Sequence, residues 1–171
     1  MRRSTLPSLL LLGSLGVALP TMGAEQQAAS TTATTTTAAG SAASGTEIHL
    51  SLSKREIALI RDGKALNRWP VVIGAPETPT PTGRFRVQTK VVNPVYQSTS
   101  SGQVKGVGAL GYRWIGFHKQ GSNDFGIHGT PWPWWVDARA AVSHGCVRMR
   151  NEHVEKLFSA VEIGTPVIIQ N

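Results

Sequence analysis

The segment TEIHLSLSKREIALIRDGKALNRWPVVIG, residues 46–74, alternates and then turns. Ile48, Leu50 and Leu52 are separated by single polar residues, the two-residue period of a strand with one buried face. Ile57 to Ile60 and Val71 to Ile73 flank Asp62-Gly63. That dipeptide suits a two-residue hairpin because both of its positions tolerate positive φ.

Outward from this segment the same texture continues. Thr80-Pro81-Thr82-Gly83 reads as a turn, followed by a strand with Phe85 and Val87 on one face. Tyr112 to His118 and Phe125 to His128 read as further strands. One segment has the helical period: Asn151 as N-cap, Glu152 in the first turn, then Val154, Leu157, Phe158 and Val161, with Gly164 ending it. Pro166 to Ile169 makes a last strand. The expected fold is mostly β, with one amphipathic helix near the C-terminus. Composition agrees, since 18 glycines and 10 prolines in 171 residues favour turns and short strands over a helical bundle. The length suits one domain. No later run approaches the roughly 18 apolar residues of a membrane-spanning helix, so a polytopic membrane protein is excluded, as are a coiled coil and a collagen-like chain.

The N-terminus has a different character. Arg2 and Arg3 precede an apolar run from Leu6 to Pro20, and Thr21, Gly23 and Ala24 follow. This order reads as a secretory signal peptide over residues 1–24, cleaved after Gly23 or Ala24. An uncleaved anchor is the alternative, because no A-x-A triplet closes the segment. Residues 25–45 are nearly all Ala, Thr, Ser, Gly and Gln, the composition of a disordered linker or glycan-bearing stalk. Residues 46–171 are then the folded domain, exported to the periplasm or a cell-wall-facing space. The formal charge of +7 becomes +5 once Arg2 and Arg3 are removed, which suits an anionic wall or membrane surface. The basic residues are scattered singly rather than clustered among aromatics, so nucleic acid is not an expected partner.

The unusual residues concentrate in GIHGTPWPWWVDARAAVSHGCVRMR, residues 126–150, which holds the only cysteine, two of five histidines and three of five tryptophans. A lone cysteine forms no internal disulfide, and in an oxidising compartment it is buried, paired between molecules or chemically used. A thiol becomes a nucleophile when a base lowers its pKa, and histidine suits that task near neutral pH. Backbone amides around Gly145 and Cys146 then suit an oxyanion. Two other readings of the residues stand beside this one. His128, His144 and Cys146, with His118 as a fourth, have the donor types of a zinc site. Cys146 as a small apolar core residue and His144 as a core histidine bonded to a carbonyl need no chemistry at all.

Ile127-His128-Gly129, followed by Ser143-His144-Gly145-Cys146-Val147-Arg148, resembles the signature of the L,D-transpeptidase catalytic domain (the YkuD family). Arg55 to Gly74 resembles that family's opening hairpin, Thr80 to Phe85 its TPxGxF turn, and Gly164-Thr165-Pro166-Val167 its final GTPV strand. The likeness covers residues 46–170 in order. It implies a YkuD-like β-sandwich, and it implies Cys146 as nucleophile and His128 as general base and acid, the imidazole oriented by the Gly129 carbonyl. Gly145 and Cys146 would supply oxyanion-hole amides, Ser143 and His144 would shape the loop, and Arg148 would face substrate carboxylates.

The implied reaction is acyl transfer from a peptidoglycan stem tetrapeptide. D-Alanine is released through a thioester, and the acyl group passes to an amine (3→3 cross-linking or D-amino acid exchange) or to water (carboxypeptidase activity). A monomer without metal or cofactor is expected, reactive toward carbapenem-type inhibitors. Trp132, Trp134 and Trp135 suggest a loop over the site with Trp134 offered to substrate, the alternative being core packing. His118 is a candidate cleft residue, while His49 and His153 read as surface residues. A non-catalytic wall-binding protein and a zinc-dependent wall peptidase are the rivals.

Overall fold

A computed structural model describes residues 45–97, 104–106 and 108–171. The expected signal peptide and nearly all of the linker lie outside the described residues. The strands are β1 (Thr46–Ser51), β2 (Glu56–Arg61), β3 (Lys64–Pro70), β4 (Ile73–Gly74), β5 (Gly83–Arg86), β6 (Thr89–Val92), β7 (Tyr96–Gln97), β8 (Val104–Gly106), β9 (Arg113–Gln120), β10 (Asn123–His128), β11 (Ala141–Ser143), β12 (Val147–Arg148) and β13 (Pro166–Gln170). The helices are α1 (Pro133–Asp137), between β10 and β11, and α2 (Asn151–Ala160), between β12 and β13. Five strands form one sheet in the order β3-β2-β1-β13-β5, and four form another in the order β12-β10-β9-β6.

The alternation in β1 sends Ile48 and Leu50 inward, opposite Leu59 and Ile57 of β2 and beside Val167 and Ile169 of β13. From the second sheet Ile115, Phe117, Ile127 and Val147 enter the same core, and Val154, Leu157 and Val161 extend it beside α2. The architecture is therefore the mostly β sandwich that the sequence implies.

Four local expectations need correcting. The strand that returns from Asp62-Gly63 is Lys64–Pro70, not Val71–Ile73. It is the edge strand, and its residues from Lys64 to Arg68 are exposed, so it carries no apolar pattern. Both turn residues do have positive φ, 50° and 76°. Val71 to Ile73 instead leaves the sheet and braces the second one, where Val72 exchanges two 3.0 Å backbone hydrogen bonds with Arg148. Next, a second helix exists among the described residues, because Pro133 at its start is preorganised for a first turn. Third, Asn151 is the first residue of α2 rather than its cap; Arg150 holds the cap position, with no side-chain capping bond. Fourth, α2 ends at Ala160, and Gly164 (φ 92°) belongs to the turn beyond it.

Candidate active site

Two short parallel strands assemble the chemistry. β10 and β12 pair with Ile127 opposite Val147 and His128 opposite Arg148, and Met149 donates its amide to the His128 carbonyl at 2.8 Å. Paired residues in neighbouring strands share a face, as do residues two apart. Cys146 stands just before β12, so thiol, imidazole and guanidinium lie toward one side, and the Arg148 charge acts on both of the other groups.

His128 is buried, with 3% of its surface exposed. Its Nδ1 lies 2.6 Å from the Gly129 carbonyl. A carbonyl can only accept, so Nδ1 carries the hydrogen and Nε2 keeps its lone pair. Burial lowers the imidazole pKa to about 4; Arg148 adds to the lowering, against the backbone acceptors of Gly129 and Leu110 that raise it. The ring is neutral at pH 7. One face lies against Trp114, with centroids 5.8 Å apart at 20°.

Cys146 is half-buried. Burial pushes its thiol above the ordinary range, Asp124 adds to that, and the Gly126 backbone and Arg148 oppose it. Sγ donates to the Asp124 carbonyl at 3.5 Å, and among the described residues no hydrogen bond joins it to His128. The resting pair is thus a neutral thiol and a neutral imidazole. Catalytic hydrogen bonds commonly tighten only once substrate is bound.

The loop before the cysteine is fixed from two directions. Ser143, 1% exposed, donates its hydroxyl to the Cys146 carbonyl (2.5 Å) and accepts from the Gly145 amide (3.2 Å). Its own carbonyl accepts from the Ala75 amide and from Thr78 Oγ1, both at 2.9 Å. Gly145 has φ +99°, and a Cβ there would stand 2.5 Å from the Phe125 ring, so only glycine fits. The Gly145 amide is engaged by Ser143 and is not free for an oxyanion; the Cys146 amide has no partner among the described residues. Ser143→Ala strands the buried Gly145 amide and the part-buried Cys146 carbonyl, and we expect a loss of about 1–3 kcal/mol in stability, read from the urea midpoint.

Arg148 is half-buried rather than a solvated charge. Its guanidinium carbon lies 5.5 Å over the Trp135 ring, Tyr96 acts on it, and its enclosed Nη1 has no hydrogen-bond partner among the described residues. The tryptophan run is not core: Trp132 and Trp135 are 38% exposed and Trp134 is 57% exposed. A reciprocal clasp holds the end of α1, with Arg139 Nη1 donating to the Lys54 and Arg55 carbonyls and Arg55 Nη1 donating to the Arg139 carbonyl.

His144 is exposed, not a core histidine. His118 packs between Phe85 and Phe125, at 5.0 and 5.6 Å, behind the ring that abuts Gly145. Among the described residues no three His, Cys, Asp or Glu side chains are placed to hold a metal ion, so the histidine and cysteine set considered for zinc is not gathered. His153 is half-buried and stacks on Trp69 at 6.0 Å, contrary to its reading as a surface residue. Sequence reasoning missed Trp114, Asp124 and Tyr96. The signal for Trp114 was there in the glycines inside RWIGFH and NDFGIH, since a glycine within a strand often marks a close approach.

The model of the L,D-transpeptidase catalytic domain (YkuD) matches residues 45–169. Among curated proteins, "Putative L,D-transpeptidase YqjB" of Bacillus subtilis (strain 168) is 38% identical over 116 residues, covering 67% of this chain and 65% of that protein. The chain spans 64% or 65% of the length of the first curated relatives it matches. Among solved structures, the Ldtfm–avibactam carbamoyl enzyme superposes with a TM-score of 0.62 at 28% identity, over 72% of this chain and 48% of that one. The catalytic domain of the Enterococcus faecium L,D-transpeptidase gives 0.59 at 28%, over 72% of this chain and 95% of that one.

Proposed function

Because the chain belongs to the L,D-transpeptidase (YkuD) catalytic-domain family, we propose that it is a cysteine-dependent acyltransferase acting on peptidoglycan stem tetrapeptides. The observation that carries this reading is the β10–β12 pairing, which sets a thiol, a neutral imidazole and a partly buried guanidinium on one side of a sheet. His128 Nε2 takes the thiol proton as Cys146 Sγ attacks the carbonyl of the third stem residue. The Cys146 amide is the donor left for the oxyanion. As the tetrahedral centre collapses, the C–N bond to D-alanine breaks, and His128 returns the proton to the departing amine. A thioester remains. An acceptor amine then attacks it, His128 takes that amine's proton, and the C–S bond breaks to restore the thiol.

Arg148, whose enclosed Nη1 has no partner among the described residues, holds a substrate carboxylate. The exposed faces of Trp134 and Trp135 border the peptide. Carbapenem-type inhibitors would acylate Cys146 by the same attack; that a structural relative carries an avibactam carbamoyl group, from a different inhibitor class, supports covalent inhibition in general. The signal-like N-terminus supports export to the periplasm or a wall-facing space.

The test is incubation with disaccharide-tetrapeptide, followed by mass spectrometry of protein and products. We expect an acyl adduct on the peptide containing Cys146, free D-alanine and a 3→3 dimer. Tripeptide without dimer would make water the acceptor. Neither adduct nor D-alanine under reducing conditions would overturn the reading.

A further inference from the structure

We propose that Trp114 is the positioning residue of the base: its indole holds the His128 ring in place and takes the imidazolium on its face when the Cys146 proton is transferred. This rests on the reading of His128 as the base in acyl transfer. Trp114 lies on β9 directly opposite His128 on β10, and the two rings are nearly parallel.

The sheet is cleared to let the indole lie flat. Gly116 and Gly126 are cross-strand partners. A Cβ on Gly126 would stand 2.5 Å from the Trp114 ring, and one on Gly116 would stand 2.8 Å from its Nε1 and 2.4 Å from Thr89 Oγ1. A side chain at either position would expel the ring. Strand-interior glycines weaken a sheet, and here two of them face each other where the ring needs a trough. The backbone of Gly126 also faces the Cys146 thiol, so the trough joins both reacting groups.

An imidazolium at this place has few partners. Arg148 faces it from β12 with like charge, and the backbone acceptors of Gly129 and Leu110 face it from the following segment and from the turn before β9. Asp124 acts on the thiol and Tyr96 acts on Arg148, and no carboxylate is among the groups acting on the ring. During the step His128 Nε2 gains the proton that Cys146 Sγ loses, while Sγ bonds to the substrate carbonyl carbon and the carbonyl oxygen takes the negative charge. The new charge then lies within about 6 Å of an indole face, where a cation is attracted by the ring quadrupole.

The test compares Trp114→Leu, Trp114→Phe and Gly126→Ala with the unaltered chain, each first checked for a cooperative thermal transition. The readouts are the NMR titration of the His128 ring, and kcat and KM for D-alanine release. Trp114→Leu should lower the His128 pKa by about 0.4–1.5 units and kcat by roughly 3- to 30-fold, with KM within about twofold of the unaltered value. Trp114→Phe should recover most of both. Gly126→Ala, which keeps the indole but pushes it out of the trough, should resemble Trp114→Leu. A His128 titration unmoved by Trp114→Leu, or a loss confined to KM, would overturn the proposal. If the unaltered chain releases no D-alanine, the acyl-transfer reading fails, while the NMR titration still decides whether Trp114 acts on His128.

Discussion

Cys146→Ala should stop D-alanine release altogether while leaving the domain folded. The two expectations come from different features of the site. The side chain is half-buried at the end of a loop, and its polar neighbours among the described residues are backbone groups, the Asp124 carbonyl at 3.5 Å and the Gly126 backbone, so removing sulfur alters stability by no more than about 1 kcal/mol. The loop keeps its shape through Ser143 and Gly145, which the substitution does not touch. Catalysis by the proposed mechanism is another matter, because no second nucleophile stands in place of Cys146: Ser143, the nearest hydroxyl along the chain, is buried and committed to the Cys146 carbonyl. Loss of a nucleophile that works as a unit with its base lowers kcat by about 10⁴-fold or more. Intact-mass spectra should show no acyl adduct on the variant, and product analysis should show no D-alanine. Residual release at a measurable fraction of the unaltered rate would remove the thiol from the mechanism.

How much of this was legible in the sequence follows the range of the forces involved. Alternation in Thr46–Ser51 and the Asp62-Gly63 turn are local signals: the first strand and the turn formed as expected, while the strand that returns from the turn is not the expected one. Lys64–Pro70 was illegible because an edge strand with its residues from Lys64 to Arg68 in water, and only Trp69 buried, has no apolar period to display. The short helix at Pro133–Asp137 was hidden for another reason: five residues carry too little periodicity to register. Asn151 has the residue type of an N-cap, but its Nδ2 donates to the Thr130 carbonyl at 3.3 Å instead. That contact ties the helix start to the segment after His128, and a tertiary bond of this kind is invisible along the chain. The same divide runs through the site. Cys146, His128 and Arg148 lie within one span of sequence, where their types and spacing are readable along the chain. Trp114 and Asp124 reach them only through strand pairing, and Tyr96 only through the fold. The Gly145 amide shows the cost of reading a loop without its hydrogen bonds, since Ser143 already occupies it.

His128 should make the protein lose stability as acidity rises through a defined window. Its folded pKa of about 4 lies below the unfolded value of 6.5. Between those two values the unfolded chain binds a proton that the folded chain does not, so the stabilisation from this residue is complete above pH 6.5 and is lost as pH falls toward 4. The gap of about 2.5 units corresponds to about 3 kcal/mol. His128→Asn removes the titration while offering an amide N–H to the Gly129 carbonyl in place of Nδ1–H. Urea midpoints at pH 7 and pH 4.5 should therefore differ less in the variant, with the difference from the unaltered chain close to one proton's linkage over that interval. In the kinetics, removing the proposed base should lower D-alanine release by about 10²–10⁴-fold. The unaltered enzyme should keep its activity well below pH 6.5, its acid limb lying near pH 4, because the burial that raises the thiol also keeps the base unprotonated. Equal pH slopes in the two proteins would mean that His128 takes up a proton in the folded state as easily as in the unfolded one. In that case the buried, neutral imidazole, on which the proton transfer from Cys146 depends, would have to be abandoned.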